Sequence, residues 1–142
     1  MIVLDTNVLS EAMRPKPDAS VARWLEAAPP ASLFTTAISE AELLYGAGLL
    51  AAGRRRQALE QALRQLFASD FAGRVLAFDA AAAQAFAAIA VARRRAGRPI
   101  ATLDAQIAAI ARAHGAAVAT RNLADFDGCG VEVINPWAGA PG

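Results

Sequence analysis

The 142-residue chain carries 14 basic and 13 acidic side chains, so a net charge of +1 gives no bulk attraction for a polyanion. A 56% hydrophobic composition excludes a disordered chain, and the single Cys129 excludes a disulfide framework and a cysteine-rich zinc site. With His114 as the only histidine, a classical zinc site, a Ser-His-Asp triad and a Cys-His pair are all disfavoured.

The first run, Ile2-Val3-Leu4, is short and apolar and ends abruptly at Asp5-Thr6-Asn7, as a buried parallel strand would. It has no basic leader or long apolar core before it, so a soluble, cytoplasmic protein is expected. A helix over Val8 to Met13 is stopped by Pro15 and Pro17, and Asp18 or Ser20 caps a second one through Trp24 and Leu25, closed by Pro29-Pro30. Ser32 to Thr35 reads as a strand and Ala37 to Leu50 as a helix starting near Thr36. Apolar pairs at Ala58-Leu59, Ala62-Leu63 and Leu66-Phe67 predict an amphipathic helix over Arg54 to Phe67. Val75 to Phe78 is a third strand candidate, and Asp79 is placed to cap an alanine-rich helix that ends near Gly97 and Pro99. That helix is too weakly apolar to span a bilayer, and no membrane contact is expected. A further helix follows Thr102-Leu103-Asp104, facing the core with Ile107, Ile110 and Ala111 and ending at His114-Gly115, where His114 reads as a helix-end residue. Strands over Ala117 to Thr120 and Val131 to Ile134 complete the set.

Strands alternating with helices predict an α/β fold: three layers, α/β/α, around a short, mostly parallel sheet in one domain over 1–142, with 137–142 as a flexible tail. In such sheets ligands bind beyond the carboxyl ends of the strands, where Asp5 and Arg121-Asn122 fall.

Several acids stand at strand-to-helix breaks or on an otherwise apolar helix face, where a charge requires a partner. Asp5 follows three apolar residues, Glu42 shares a face with Ile38, Tyr45 and Leu49, Asp104 is in the first turn of its helix, and Asp125 stands beside Asn122 after a strand. Asp5 and Asp104 could also simply cap the segments that follow them. Glu40 and Glu42 lie about 200° apart around a helix, so one pocket can take only one of them, and Glu42 is favoured. Glu11, Glu26, Glu60 and Asp70 read as solvated surface charges, and Asp79 as a cap. Few bases lie near the singled-out acids in sequence, so a bound cation is the natural way to offset their repulsion, and an all-oxygen set suits Mg²⁺ or Mn²⁺ better than zinc.

Taken in order, Ile2-Val3-Leu4-Asp5-Thr6-Asn7-Val8, Ser39-Glu40-Ala41-Glu42-Leu43, Leu103-Asp104-Ala105-Gln106-Ile107, Ala119-Thr120-Arg121-Asn122-Leu123-Ala124-Asp125-Phe126 and the closing Ile134-Asn135-Pro136-Trp137 resemble the PIN-domain family, in its VapC and FitB branch of toxin ribonucleases. The resemblance spans nearly the whole chain. It implies that Asp5, Glu42 and Asp104 hold Mg²⁺ or Mn²⁺, with Asn122 or Asp125 as the fourth position and Thr6, Asn7 and Thr120 orienting carboxylates or water by hydrogen bonds; Thr36 is a further candidate for that role. The implied reaction is cleavage of single-stranded or looped RNA by metal-activated water, leaving a 5′-phosphate and a 3′-hydroxyl. The implied partners are an RNA substrate, a VapB/FitA-like antitoxin, operator DNA through that antitoxin, and a second copy of the chain. Because the acidic pocket repels phosphate until metal binds, RNA affinity is sought in the basic clusters: Arg93-Arg94-Arg95 with Arg98 is expected to flank the RNA path, against the simpler reading of a solvated helix face. The competing functional class is a PIN-like module with a vestigial pocket that acts by holding a partner, for which Asn122 in place of an acid is the support. A dinucleotide site is disfavoured because Asp5-Thr6-Asn7, not a glycine-rich turn, follows the first strand.

Overall fold

The computed structural model describes residues 1–138. Its central sheet has five strands, all parallel, in the order β3-β2-β1-β4-β5: β1 Ile2–Leu4, β2 Leu33–Thr36, β3 Val75–Leu76, β4 Ala117–Ala119 and β5 Val133–Ile134. The chain lays β2 and β3 to one side of β1 and later β4 and β5 to the other. The strand order therefore reverses between β1 and β4, which places a crevice at the carboxyl end of β1.

Alternating side chains of the strands feed two separate cores. Val3 and Val118 face a core with Ile89 of helix α5 (Ala80–Arg95) and Ile107, Ala108 and Ala111 of helix α6 (Thr102–Ala113). Leu4 and Ala119, one residue on, face Val8 and Leu9 of α1 (Thr6–Ala12), Val21 of α2 (Ala19–Ala27), Ala47 of α3 (Ala37–Gly48) and Leu63 of α4 (Arg54–Gln65). Helices thus cover both faces, giving the expected three layers.

Local signals explain the helix starts. Asp18 accepts from the N–H groups of Ser20 and Val21, Thr36 from that of Ser39, and Asp79 from that of Ala82, each satisfying donors that a first turn leaves free. Gly115, with φ of +64°, ends α6 after its C-cap His114.

The structure corrects the sequence reading at several points. The first helix begins at Thr6 rather than Val8, because Asp5 itself caps it. The helix after Gly53 passes at Leu66 into one π-turn, Leu66–Asp70, closed by Phe71 N–H to the Leu66 carbonyl at 2.9 Å. The outer strands β3 and β5 have two residues each rather than four. Glu11 is not a solvated charge: it is buried on α1 and paired with Arg14 at 3.4 Å. Within the expected tail, Trp137 and Ala138 belong to a 3-10 turn, Pro136–Ala138, and Trp137 packs against the core around Leu4 and Val8. Residues 139–142 lie outside the described residues.

Candidate active site

The crevice beyond β1 is built around Asp5, which is 4% exposed. Its two oxygens have different tasks. Oδ1 accepts the Thr6 N–H at 2.8 Å and so starts α1, while Oδ2 accepts the buried Thr120 hydroxyl at 2.8 Å and the Asn7 amide at 3.2 Å. Thr120 also accepts the Asn122 N–H at 3.0 Å, and Asn7 accepts the Arg121 N–H at 3.3 Å, which ties the segment after β4 to the start of α1.

Thr6 connects the second acid to the first. Its hydroxyl lies 2.9 Å from Glu42 Oε1 and 2.9 Å from Ser39 Oγ. A hydroxyl has one proton and a carboxylate can only accept, so Thr6 donates to Glu42 and Ser39 completes the chain behind it. Ser39 is fully buried and held by the α3 cap at Thr36, so Thr36 acts on the site through the helix start and not by touching an acid. Ser39 was missed in the sequence, although its place three residues before Glu42 puts both on one helix face. Replacing Thr6 by Val keeps the backbone bond to Asp5 and removes the donor to Glu42. We expect divalent-ion affinity to fall by about tenfold with metal-free thermal stability nearly unchanged, checked by parallel binding and melting measurements.

Asp104 stands in the first turn of α6 but does not cap it, the N-cap being Ala101. Burial, then repulsion from Asp5 and Asp125, raises the Asp104 pKa to about 6. Burial raises that of Asp5 as well, against the lowering effect of the Thr120 and Thr6 hydrogen bonds, and Glu42 and Asp125 add repulsion. Four acids from distant parts of the chain therefore share one field: Asp5, Glu42, Asp104 and the exposed Asp125. The ion pairs among the described residues, Arg14–Glu11, Arg56–Glu60 and Arg98–Asp127, involve none of them. Asn122 is brought to the same loop by its backbone and is exposed.

This donor set fits a hard divalent cation in charge and in atom type. Among the described residues no three acidic, histidine or cysteine side chains already converge on a single point.

Metal binding needs ionised carboxylates, so divalent-ion affinity is expected to climb as pH rises through about 6 and to level off above it. A raised folded-state pKa means that the folded chain holds more protons than the unfolded one between 3.8 and about 6, so this group's contribution to metal-free stability falls across that window. Melting curves with and without Mg²⁺ on either side of it should show the larger metal-induced rise on the alkaline side; an equal rise on both sides would contradict the assignment.

The proposed RNA-facing arginines are not one group. Arg93 is 7% exposed and turned inward, with Nε donating to the Arg98 carbonyl at 2.7 Å and Nη1 to the carbonyls of Asp125 and Asp127 at 2.9 and 2.8 Å. Its expected place on an RNA path is corrected accordingly: burial and three backbone acceptors occupy its guanidinium. Arg94 and Arg95 are exposed, and Arg98 pairs with Asp127 at 2.9 Å.

The chain is 43% identical over 137 residues to "Plasmid stability protein StbB" of Pseudomonas syringae pv. tomato, covering 96% of this chain and 99% of the relative. It is 41% identical over 137 residues to "VapC ribonuclease Y4jK" of Sinorhizobium fredii, covering 96% and 98%. The crystal structure of FitAcB from Neisseria gonorrhoeae superposes with a TM-score of 0.90 at 41% identity, over 96% of this chain and 99% of that one. The PIN domain profile matches residues 2–127, which contain all five candidate ligand positions, and the chain belongs to the PIN domain family.

Proposed function

We propose that the chain is a metal-dependent endoribonuclease, one PIN-type domain over 1–142, that acts as the toxin of a toxin–antitoxin pair. The observation that carries this reading is a group of four carboxylates at the strand-order reversal, Asp5 repelled by Glu42 and Asp125 and Asp104 by Asp5 and Asp125, with no protein cation paired to any of them among the described residues. Asp5, Glu42 and Asp104 would hold Mg²⁺ or Mn²⁺, with Asp125 or Asn122 completing the set. Such an ion supplies water activation and neutralises charge developing on a phosphodiester.

The chain's own residues prepare that site. Thr120, Asn7 and the Thr6 N–H fix the Asp5 carboxylate in one orientation, and Thr6 fixes that of Glu42. Burial holds the Asp104 and Asp5 carboxyls above the ordinary aspartate pKa, so a cation held between them would favour their ionised forms. No side chain is needed as a covalent nucleophile. Asp125 within the field of both Asp5 and Asp104 supplies a fourth charge, which weighs against a vestigial pocket.

The partner follows from the relatives' names and from the surface. An apolar cleft lined by Val8, Leu9, Met13, Leu25, Leu66 and Phe71 offers an antitoxin segment a surface to cover, and operator DNA would be reached only through that antitoxin. Tyr45 and Leu49, 70% and 68% exposed, are candidates for contact with a second copy in a homodimer. No helix of the described residues is long and apolar enough to cross a membrane. The test is incubation of the purified protein with cellular RNA in Mg²⁺, Mn²⁺ or chelator, followed by mapping of the cut ends. We expect metal-dependent cuts bearing 5′-phosphates; cutting that persists in chelator would refute the mechanism.

A further inference from the structure

The site's basic counterpart is Arg121. This residue follows Thr120, which holds Asp5, and its own N–H is fixed to Asn7, which holds the same oxygen of Asp5. Its backbone is thus anchored within one residue of the acidic pocket on both sides. An exposed arginine beside four carboxylates would be expected to fold onto them, neutralising the pocket. It does not. The guanidinium carbon lies 5.2 Å from the centroid of the Trp137 ring, and no carboxylate is within ion-pair distance of it among the described residues. Trp137 is itself held from two directions: its ring packs against the core around Leu4, Val8 and Leu9, and its N–H donates to Asn135 Oδ1 at 3.0 Å.

A guanidinium held over an aromatic face is attracted through its charge and keeps N–H donors for the two parallel bonds that suit a phosphate. The contact with the ring also restricts rotamer freedom before any ligand arrives. From this placement, and resting on the reading of the pocket as an RNA-cleaving site, we infer that Arg121, held over the ring of Trp137, is the phosphate-binding arm of the site: it holds an RNA backbone phosphate beside the one to be cut. Trp137 is the positioning residue, keeping the arm out of the acids and in reach of substrate. The arm meets the requirement that Arg93 cannot: a cation near the acids with, among the described residues, no protein acceptor already occupying its guanidinium.

The experiment uses a fluorescent, mixed-sequence single-stranded RNA bound to the inactive Asp104→Asn chain, with Arg121→Ala, Arg121→Lys and Trp137→Phe added in turn and salt varied. Arg121→Ala should weaken RNA binding about tenfold and lower the salt slope by about one. Arg121→Lys should keep the slope but recover only part of the affinity, because a point charge lacks the fork. Trp137→Phe should bind nearly as the parent does. In the otherwise unaltered chain, Arg121→Ala should raise KM with a smaller change in kcat, and the Mn²⁺-induced rise in Tm should stay as in the parent. Unchanged RNA affinity and salt slope in Arg121→Ala would overturn the inference, as would a loss that travels with weaker Mn²⁺ binding, which would mark Arg121 as a brace for Thr120 and Asp5. A parent chain that cuts RNA while Arg121→Ala behaves identically sinks this inference alone; a parent that neither binds nor cuts RNA sinks the ribonuclease reading with it.

Discussion

Asp5→Asn is expected to lower RNA cleavage on the order of a thousandfold while leaving a folded protein. The amide can still accept the Thr6 N–H through its oxygen, so the start of α1 survives. Its nitrogen, however, meets the Asn7 amide, a second donor, where Oδ2 now accepts at 3.2 Å. The substitution removes charge at the best-anchored of the candidate ligands and turns one acceptor into a donor. Asp104→Asn should be equally inactive with even less effect on the fold, because burial already favours the neutral form of that side chain. Rates and melting curves on both variants check this pair of expectations, and residual activity within tenfold of the parent would be incompatible with a ligand role. Restoring the rate with Mn²⁺ in place of Mg²⁺ in Asp104→Asn, but not in Asp5→Asn, would rank Asp5 as the more essential of the two.

The second large effect is on stability. Arg93→Ala should cost about 3 kcal/mol, a fall of roughly 10 °C in Tm, because three backbone carbonyls lose a charged donor and a buried side chain leaves a void. The loss extends to function, since one of those carbonyls belongs to Asp125. Loosening that turn moves a carboxylate in the field of Asp5 and Asp104. Arg93→Lys should recover little, because an ammonium cannot reach the acceptors on both sides at once as the guanidinium does. Thermal unfolding of the three chains distinguishes this clamp from a solvated arginine, for which both substitutions would be nearly silent.

Arg93 also shows why a sequence hides such roles. Read as a run, Arg93-Arg94-Arg95 is a basic patch; read by helical period, Arg93 stands four residues after Ile89, which is fully buried, on the α5 face that packs inward. The period was available, but the charge argued against using it. What overrode that expectation is a set of unpaired loop carbonyls, which no residue pattern announces. Glu11 misled in the same way, three residues after buried Val8 and with Arg14 one turn on as its partner.

Other elements were legible because a single residue type at a break is a strong signal. Asp18, Thr36, Asp79 and Gly115 each did at a helix end what their chemistry favours. The central strands could be read from their apolar runs, whereas β3 and β5, at the sheet edges, are shorter than their apolar segments because pairing on one side ends where the neighbour does. For Asp5 the sequence posed capping and chemistry as alternatives. The carboxylate has two oxygens, and the fold uses one for each. The convergence of Asp5, Glu42, Asp104 and Asp125 on one field could be expected from their resemblance to a family pattern, but the chain linking Ser39, Thr6 and Glu42 needed three-dimensional contacts. Arg121 could be placed at the carboxyl end of a strand from the sequence, but its contact with the ring of Trp137, sixteen residues on, needed the fold.

Soaking crystals of the protein in Mn²⁺ and locating the ion by its anomalous scattering addresses the account at its centre. It predicts a peak in direct-ligand contact with the Asp5 carboxylate and bound, directly or through water, to Glu42 and Asp104. Manganese found only elsewhere, with those three acids neutralised by a protein side chain, would contradict it.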